Sequence, residues 1–231
     1  LTAGCVSQRE FVGRISVRRL FGELGFRKTA VGWLLLACVV PLAYIGIAYV
    51  LYWILFPSSL DPGGKSIFQL ILMGILGIFV GVLTALGEEI GWRGYLLKAV
   101  SERVGLTSGL VLTSVFWGCW HLPVLISGLY MPGTPLWYKV PAFMLMIIPA
   151  GMIFGIISIR ARSVWPAVFL HAAHNNFDQI VFGPITSGPD KSFFVSETGL
   201  FTIICAWIIL FIMYRLTKAG YEERLIRFCT F

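Results

Sequence analysis

Charge is what this chain has least of. Only 13% of its 231 residues are Asp, Glu, Lys or Arg, against 58% hydrophobic, and its mean hydropathy is +0.85. A soluble globular domain carries roughly a quarter of its residues charged, so that class is excluded first. Histidine is scarcer still, with three residues and no HExxH segment, so the helical zinc-protease signature is lacking. Five cysteines (Cys5, Cys38, Cys119, Cys205, Cys229) are odd in number and form no CxxC pair. They suggest neither a disulfide framework nor a thiolate zinc site. The chain has no internal repeat and no low-complexity tract. The basic residues behind its net charge of +7 are scattered rather than clustered, which argues against nucleic acid as a partner.

What is abundant is apolar sequence in stretches near the length that an α-helix needs to cross hydrocarbon. Six such stretches cover about 31–56, 67–86, 107–126, 139–159, 164–182 and 199–216. They predict an all-α, polytopic membrane helix bundle of about six transmembrane helices, plus a membrane-embedded helix that carries a glutamate motif. The division is a basic cytoplasmic or interfacial segment over 1–30, a membrane domain over 31–216 and a short cytoplasmic tail over 217–231. With both termini cytoplasmic, the inner segments hold fourteen basic residues: Arg9, Arg14, Arg18, Arg19, Arg27, Lys28, Lys98, Arg103, Arg160, Arg162, Arg215, Lys218, Arg224 and Arg227. The outer ones hold three: Lys65, Lys139 and Lys191. Lys and Arg concentrate on the cytoplasmic side, so the count supports this orientation. The expected location is integral to a membrane, with the prokaryotic plasma membrane favoured and the bilayer as a standing partner. Gly74, Gly77 and Gly81, spaced along one stretch, predict close helix packing.

Three polar clusters interrupt the apolar stretches. The first is Gly87–Leu97, GEEIGWRGYLL. Ionisable residues at such depth are expensive and mark functional sites by default. On a helix Glu89 and Arg93, four apart, share a face and can pair. Glu88 points about 100° away and is left free of that partner, and a desolvated carboxylate can serve as a general base. Two acids in the first turn of a new helix would be the bland alternative. The second cluster is FWGCWHLP, where His121 stands among Phe116, Trp117 and Trp120, with Pro123 expected to disturb the helix. A lone histidine of this kind is more often a satisfied core residue. The third is WPAVFLHAAHNNFDQ, in which His171 and Asn175 share a face and His174 stands to the side. Two donors on one face could hold an oxyanion, if His171 presents an N–H. Hydrogen bonding between helices would be the structural alternative. Asp178 is a candidate partner for Asn175. Each cluster alone is ambiguous, but the conjunction on separate apolar spans favours one buried polar site.

The order EExxxR (Glu88, Glu89, Arg93), a histidine in an aromatic-rich span (His121), then HxxxN (His171, Asn175) resembles the CPBP family of intramembrane proteases. That family includes the CaaX-processing Rce1-type enzymes and the bacterial bacteriocin-processing or immunity proteins called Abi. Residues 86–179 carry the resemblance, and the lead-in FGELGFRKT looks like the family's approach to its first span. One departure is that Trp117 stands where the family usually has Phe, four residues before the histidine.

The resemblance implies endopeptidase action on a membrane-associated peptide or protein. It implies that Glu88 with His121 activates a water, that His171 with Asn175 stabilises the oxyanion, and that Glu89 and Arg93 hold the first motif in shape. A metal-free site is favoured, with zinc on Glu88, His121 and His171 as the alternative. A non-catalytic bacteriocin-immunity or scaffold protein, or a transporter with a proton relay, are the other functional classes. One difficulty follows from the six spans as drawn. Relative to Glu88 at the cytoplasmic end of the second, His171 would lie about 11 Å deep and His121 about 21 Å deep. For the three to meet, residues 107 to 113 are expected to lie outside the hydrocarbon. The glutamate segment should begin deeper and the second span should start later.

Overall fold

A computed structural model describes residues 17–188 and 190–217. Cys5, Cys229, most of the basic segment 1–30 and all but one residue of the tail 217–231 lie outside them. Among the described residues no strand is formed, only one isolated bridge between Leu60 and Thr186. The helices are α1 (Val17–Glu23), α2 (Val31–Leu55), α3 (Ile67–Glu89), α4 (Leu97–Val104), α5 (Leu106–Ile126), α6 (Leu136–Ala161), α7 (Trp165–Asn175), α8 (Lys191–Phe194) and α9 (Leu200–Thr217). Two π-helical segments, Ile90–Leu96 and Asn176–Phe182, continue α3 and α7 directly. All six apolar stretches are therefore helical. Among the described residues four helices are long and apolar enough to cross a membrane, with Leu200–Leu216 a shorter apolar one.

Helix α6 is the centre of the bundle and α3 lies on its rim: 83% of the most apolar window of α6 is buried, against 17% for α3. The apolar surface that α3 leaves outside, including Ile67, Phe68, Phe79, Val80 and Leu83, is what a lipid-facing helix presents. Its inner stripe is glycine. Gly74 packs against Phe177 and Val181, Gly81 against Ala172, and a side chain at Gly77 would collide with the Asn176 amide. Asn176 is buried and donates from Nδ2 to the Gly74 carbonyl at 2.8 Å. The expected glycine packing is thus met, and α7 is the partner. A comparable seam joins α5 and α6, where Gly118 approaches Ile147 and Met144 and Gly151 approaches Ser114.

The depth difficulty is resolved differently from expectation. Helix α3 begins at Ile67, where the second span was drawn. What removes the conflict is the other end. The helix does not stop after the glutamates but runs on to Val104, through the π-segment and α4, as one helical rod of 38 residues. Gly105, with φ +82°, then reverses the chain, and α5 returns beside α4, with Gly109 against Ser101. The first turns of α5 are spent running back, and Trp117 arrives level with Glu88. His121 is one helical turn further, about 6 Å. Pro123 does not end α5, which continues to Ile126.

At one end of the bundle three connections are pinned together. Ser187 N–H donates to Ser59 C=O at 2.7 Å, and Asp61 N–H donates to Ile185 C=O at 2.9 Å. Tyr138 O–H donates to the carbonyls of Phe193 and Thr198. Buried Lys139, in the first turn of α6, donates to the Tyr130 and Met131 carbonyls.

Gly77→Ala should lower stability by roughly 1 to 3 kcal/mol, because the added methyl meets an amide anchored on Gly74. Thermal unfolding of the detergent-purified protein measures this, and an unchanged midpoint would show that α3 and α7 are not so closely seated.

Candidate active site

The site begins with a carboxylate sealed inside the bundle. Glu89, at the last position of α3, is fully buried, and its Oε1 accepts from Arg93 Nη1 at 2.8 Å and pairs with His171 Nδ1 at 2.9 Å. Arg93 lies in the π-segment, and its guanidinium also donates from Nη2 to the Gly151 carbonyl of α6 at 3.3 Å. It stacks 4.3 Å from the Trp117 ring and 4.9 Å from Phe154. An ionised carboxylate can only accept, so Nδ1 of His171 carries the proton in this pair. π-helical turns are rare and concentrate at functional sites. Here one π-segment starts right after Glu89 and carries Arg93, and the other starts right after Asn175.

Glu88 looks elsewhere, as its position on the helix predicts. It is half-buried, and its Oε2 accepts from the indole N–H of Trp117 at 2.9 Å. His121, also half-buried, sets its Nδ1 2.8 Å from the Trp117 carbonyl one turn back. A carbonyl has no proton to give, so Nδ1 is the protonated nitrogen and Nε2 is left as an acceptor. Among the described residues no hydrogen bond joins Glu88 to His121 directly, because Trp117 stands between them. Its ring also lies 5.3 Å from that of His171 and 5.7 Å from that of His121.

Asn175 is half-buried, and among the described residues no side-chain hydrogen bond holds it. Asp178 is not its partner. That carboxylate accepts from Tyr49 at 2.9 Å and from Ser196 at 3.3 Å instead. The six residues singled out from the sequence therefore fall into two sets. Glu89, Arg93 and His171 are buried and locked together; Glu88, His121 and Asn175 are partly exposed.

Sequence reasoning missed a second polar network. His174 turns away from His171, accepts from Tyr44 O–H at 2.5 Å, and places Nε2 4.0 Å from Glu197. Glu197 accepts from Tyr130 O–H at 2.6 Å and from Gln179 at 2.9 Å. Burial and the Glu197 carboxylate push the Tyr130 phenol well above its ordinary range, so it stays protonated and donates. Tyr130 also lies 6.5 Å, ring to ring, from His121. Nothing in the spacing of Glu197, in a connection between helices, announces this role. Among the described residues no three His, Cys, Asp or Glu side chains are gathered as a metal site. Glu88, His121 and His171, the set considered for zinc, do not fit one as they stand.

These helices and this buried acid–histidine cluster define an all-helical bundle with a polar site inside an apolar frame. Residues 70–177 match the model of the family described as Rce1-like, type II CAAX prenyl endopeptidase Rce1-like. The chain is also 30% identical over 139 residues to CAAX prenyl protease 2 of Methanococcus maripaludis, covering 58% of this chain and 49% of that protein. This chain thus spans about half the length of the curated relative that it matches. No solved structure matches it. All three motifs that carry the family resemblance fall inside the matched residues 70–177.

Arg93→Ala leaves the Glu89 carboxylate buried with a single partner. Breaking a buried pair in this way should cost roughly 3 to 5 kcal/mol. A loss in thermal stability no larger than that of an exposed control such as Arg19→Ala would show that the Glu89–Arg93 pair does not hold the bundle.

Proposed function

We propose that the chain is an intramembrane endopeptidase of the CPBP type. In this reading it hydrolyses a peptide bond of a membrane-associated peptide or protein, with Glu88 as the base that activates water. The observation that carries the reading is the division of the six residues. Glu88, His121 and Asn175 keep the exposure needed to meet water and substrate, and Glu89 and Arg93 are sealed and paired as a frame. His171, also buried, is held by Glu89 through Nδ1, with Nε2 as its remaining ring nitrogen.

Glu88 takes a proton from water as its oxygen bonds to the peptide carbonyl carbon, and the C=O electron pair moves onto oxygen. Collapse of that intermediate breaks the C–N bond, and the proton held by Glu88 passes to the leaving nitrogen. His121 offers Nε2 as an acceptor that orients the water. Asn175 and His171 stabilise the oxyanion. With Nδ1–H engaged by Glu89, His171 can donate from Nε2 only as the imidazolium. Its charge and that of Arg93 would then balance Glu88 and Glu89, which suits an apolar interior.

The proposed setting is a prokaryotic plasma membrane crossed about six times over 31–216, with both termini cytoplasmic. Residues 107–113 and α4 lie outside the hydrocarbon, and the site opens toward the cytoplasm. The loops pinned at the opposite end, where Ser59, Tyr130, Ser187 and Glu197 are tied down, support that direction.

The methanococcal relative is named a CAAX prenyl protease, so a prenylated CAAX peptide is the first substrate to try. Glu88→Gln, which keeps shape and removes the base, should lower cleavage about 100-fold or more, with an unchanged melting profile. A folded Glu88→Gln protein that protects cells or binds its partner as well as wild type would instead support immunity or scaffolding. A pH-dependent flux without a cleaved partner would support transport.

The proposed chemistry is metal-free. Cleavage should survive prolonged treatment with a strong zinc chelator; activity lost to the chelator and restored by zinc would overturn that part.

A further inference from the structure

Trp117 touches four of the six site residues, Glu88, Arg93, His121 and His171. Its indole N–H holds Glu88, its carbonyl holds the Nδ1–H of His121, its ring carries the Arg93 guanidinium on one side, and it lies against His171. It is 3% exposed, so its neighbours are protein groups rather than lipid. Ring packing against Arg93 and Phe154 would be served by any large aromatic side chain. The N–H is the one part of the indole that such packing does not use, and it is spent on the proposed base.

We infer that Trp117 is a positioning residue for Glu88: its N–H fixes Oε2, leaving Oε1 to meet water. This rests on the peptidase reading above. A half-buried glutamate has three side-chain torsions, and its carboxylate would otherwise sweep a wide arc. A charge-assisted hydrogen bond from a donor that is itself immobilised narrows that arc to one approach. The same residue sets the tautomer of His121 through its carbonyl, so base and acceptor are referred to one rigid side chain and its backbone.

Trp117→Phe keeps a ring in place and deletes the donor. In the full-length protein, reconstituted and assayed on the peptide that wild type cleaves, kcat should fall about 10- to 100-fold. KM should stay within about twofold and the melting profile should be unchanged. A merely structural tryptophan would not produce that split in a folded protein. The second readout is the indole N–H resonance of Trp117 in wild type against Glu88→Gln. It should shift and exchange faster with deuterium in the variant, because the acceptor loses its charge.

A folded Trp117→Phe protein with wild-type kcat, alongside an inactive Glu88→Gln, overturns this inference and leaves the peptidase reading standing. If Trp117→Phe does not fold, an indole signal indifferent to Glu88→Gln overturns it, and a signal that moves supports it. If wild type cleaves no peptide, the positioning role falls together with the peptidase reading, whatever the resonance does.

Discussion

The candidate site hangs on one oxygen atom. Oε1 of Glu89 takes hydrogen bonds from Arg93 and His171, and so ties α3, the π-segment after it and α7 at a single point. Arg93 then reaches α6 through the Gly151 carbonyl. In hydrocarbon an uncompensated carboxylate is not tolerated. The three helices must therefore keep the register that supplies its partners. Once they do, Glu88, the next residue back, is forced onto a different face, toward α5 and Trp117. The adjacency of the two acids thus separates their environments: one sealed and paired, one partly open.

The close approach behind this register is made by small residues. Gly77 and Gly81 let α7 lie against α3, and Gly118 and Gly151 let α5 lie against α6. Without side chains at these points, backbones come near enough for Asn176 and Arg93 to bond to carbonyls of neighbouring helices. Lipid supplies no hydrophobic drive between helices, so such packing and such bonds are what hold the bundle together. The second network, around Glu197, does the same for the loops at one end. Tyr130, Gln179 and His174 converge on it from three different segments.

Much of this was legible beforehand because its cause is local. Apolar stretches of bilayer length gave all six helices with edges within a few residues. The four-residue spacing of Glu89 and Arg93 gave their pair, and the 100° step gave the separate course of Glu88. The apolar pattern fades after the glutamates, yet the helix continues to Val104, and the return of α5 beside α4 is what brings Trp117 to Glu88. Asp178 was read toward its neighbour in sequence, Asn175. It instead bonds Tyr49, 129 positions away, and Ser196.

By itself the sequence determined the class of molecule, the helices, and the six residues around which a site could form. Hydropathy and helical periodicity are properties of neighbours along the chain, and they survive without a fold. The tertiary structure alone decided which donor meets which acceptor. It put Trp117 between Glu88 and His121, spent His171 on Glu89 and sent His174 to Glu197. Those pairings bridge 29 residues in one case and 82 in another. They are set by the register of packed helices, which glycine contacts and a reversal at Gly105 fix and which no local spacing encodes.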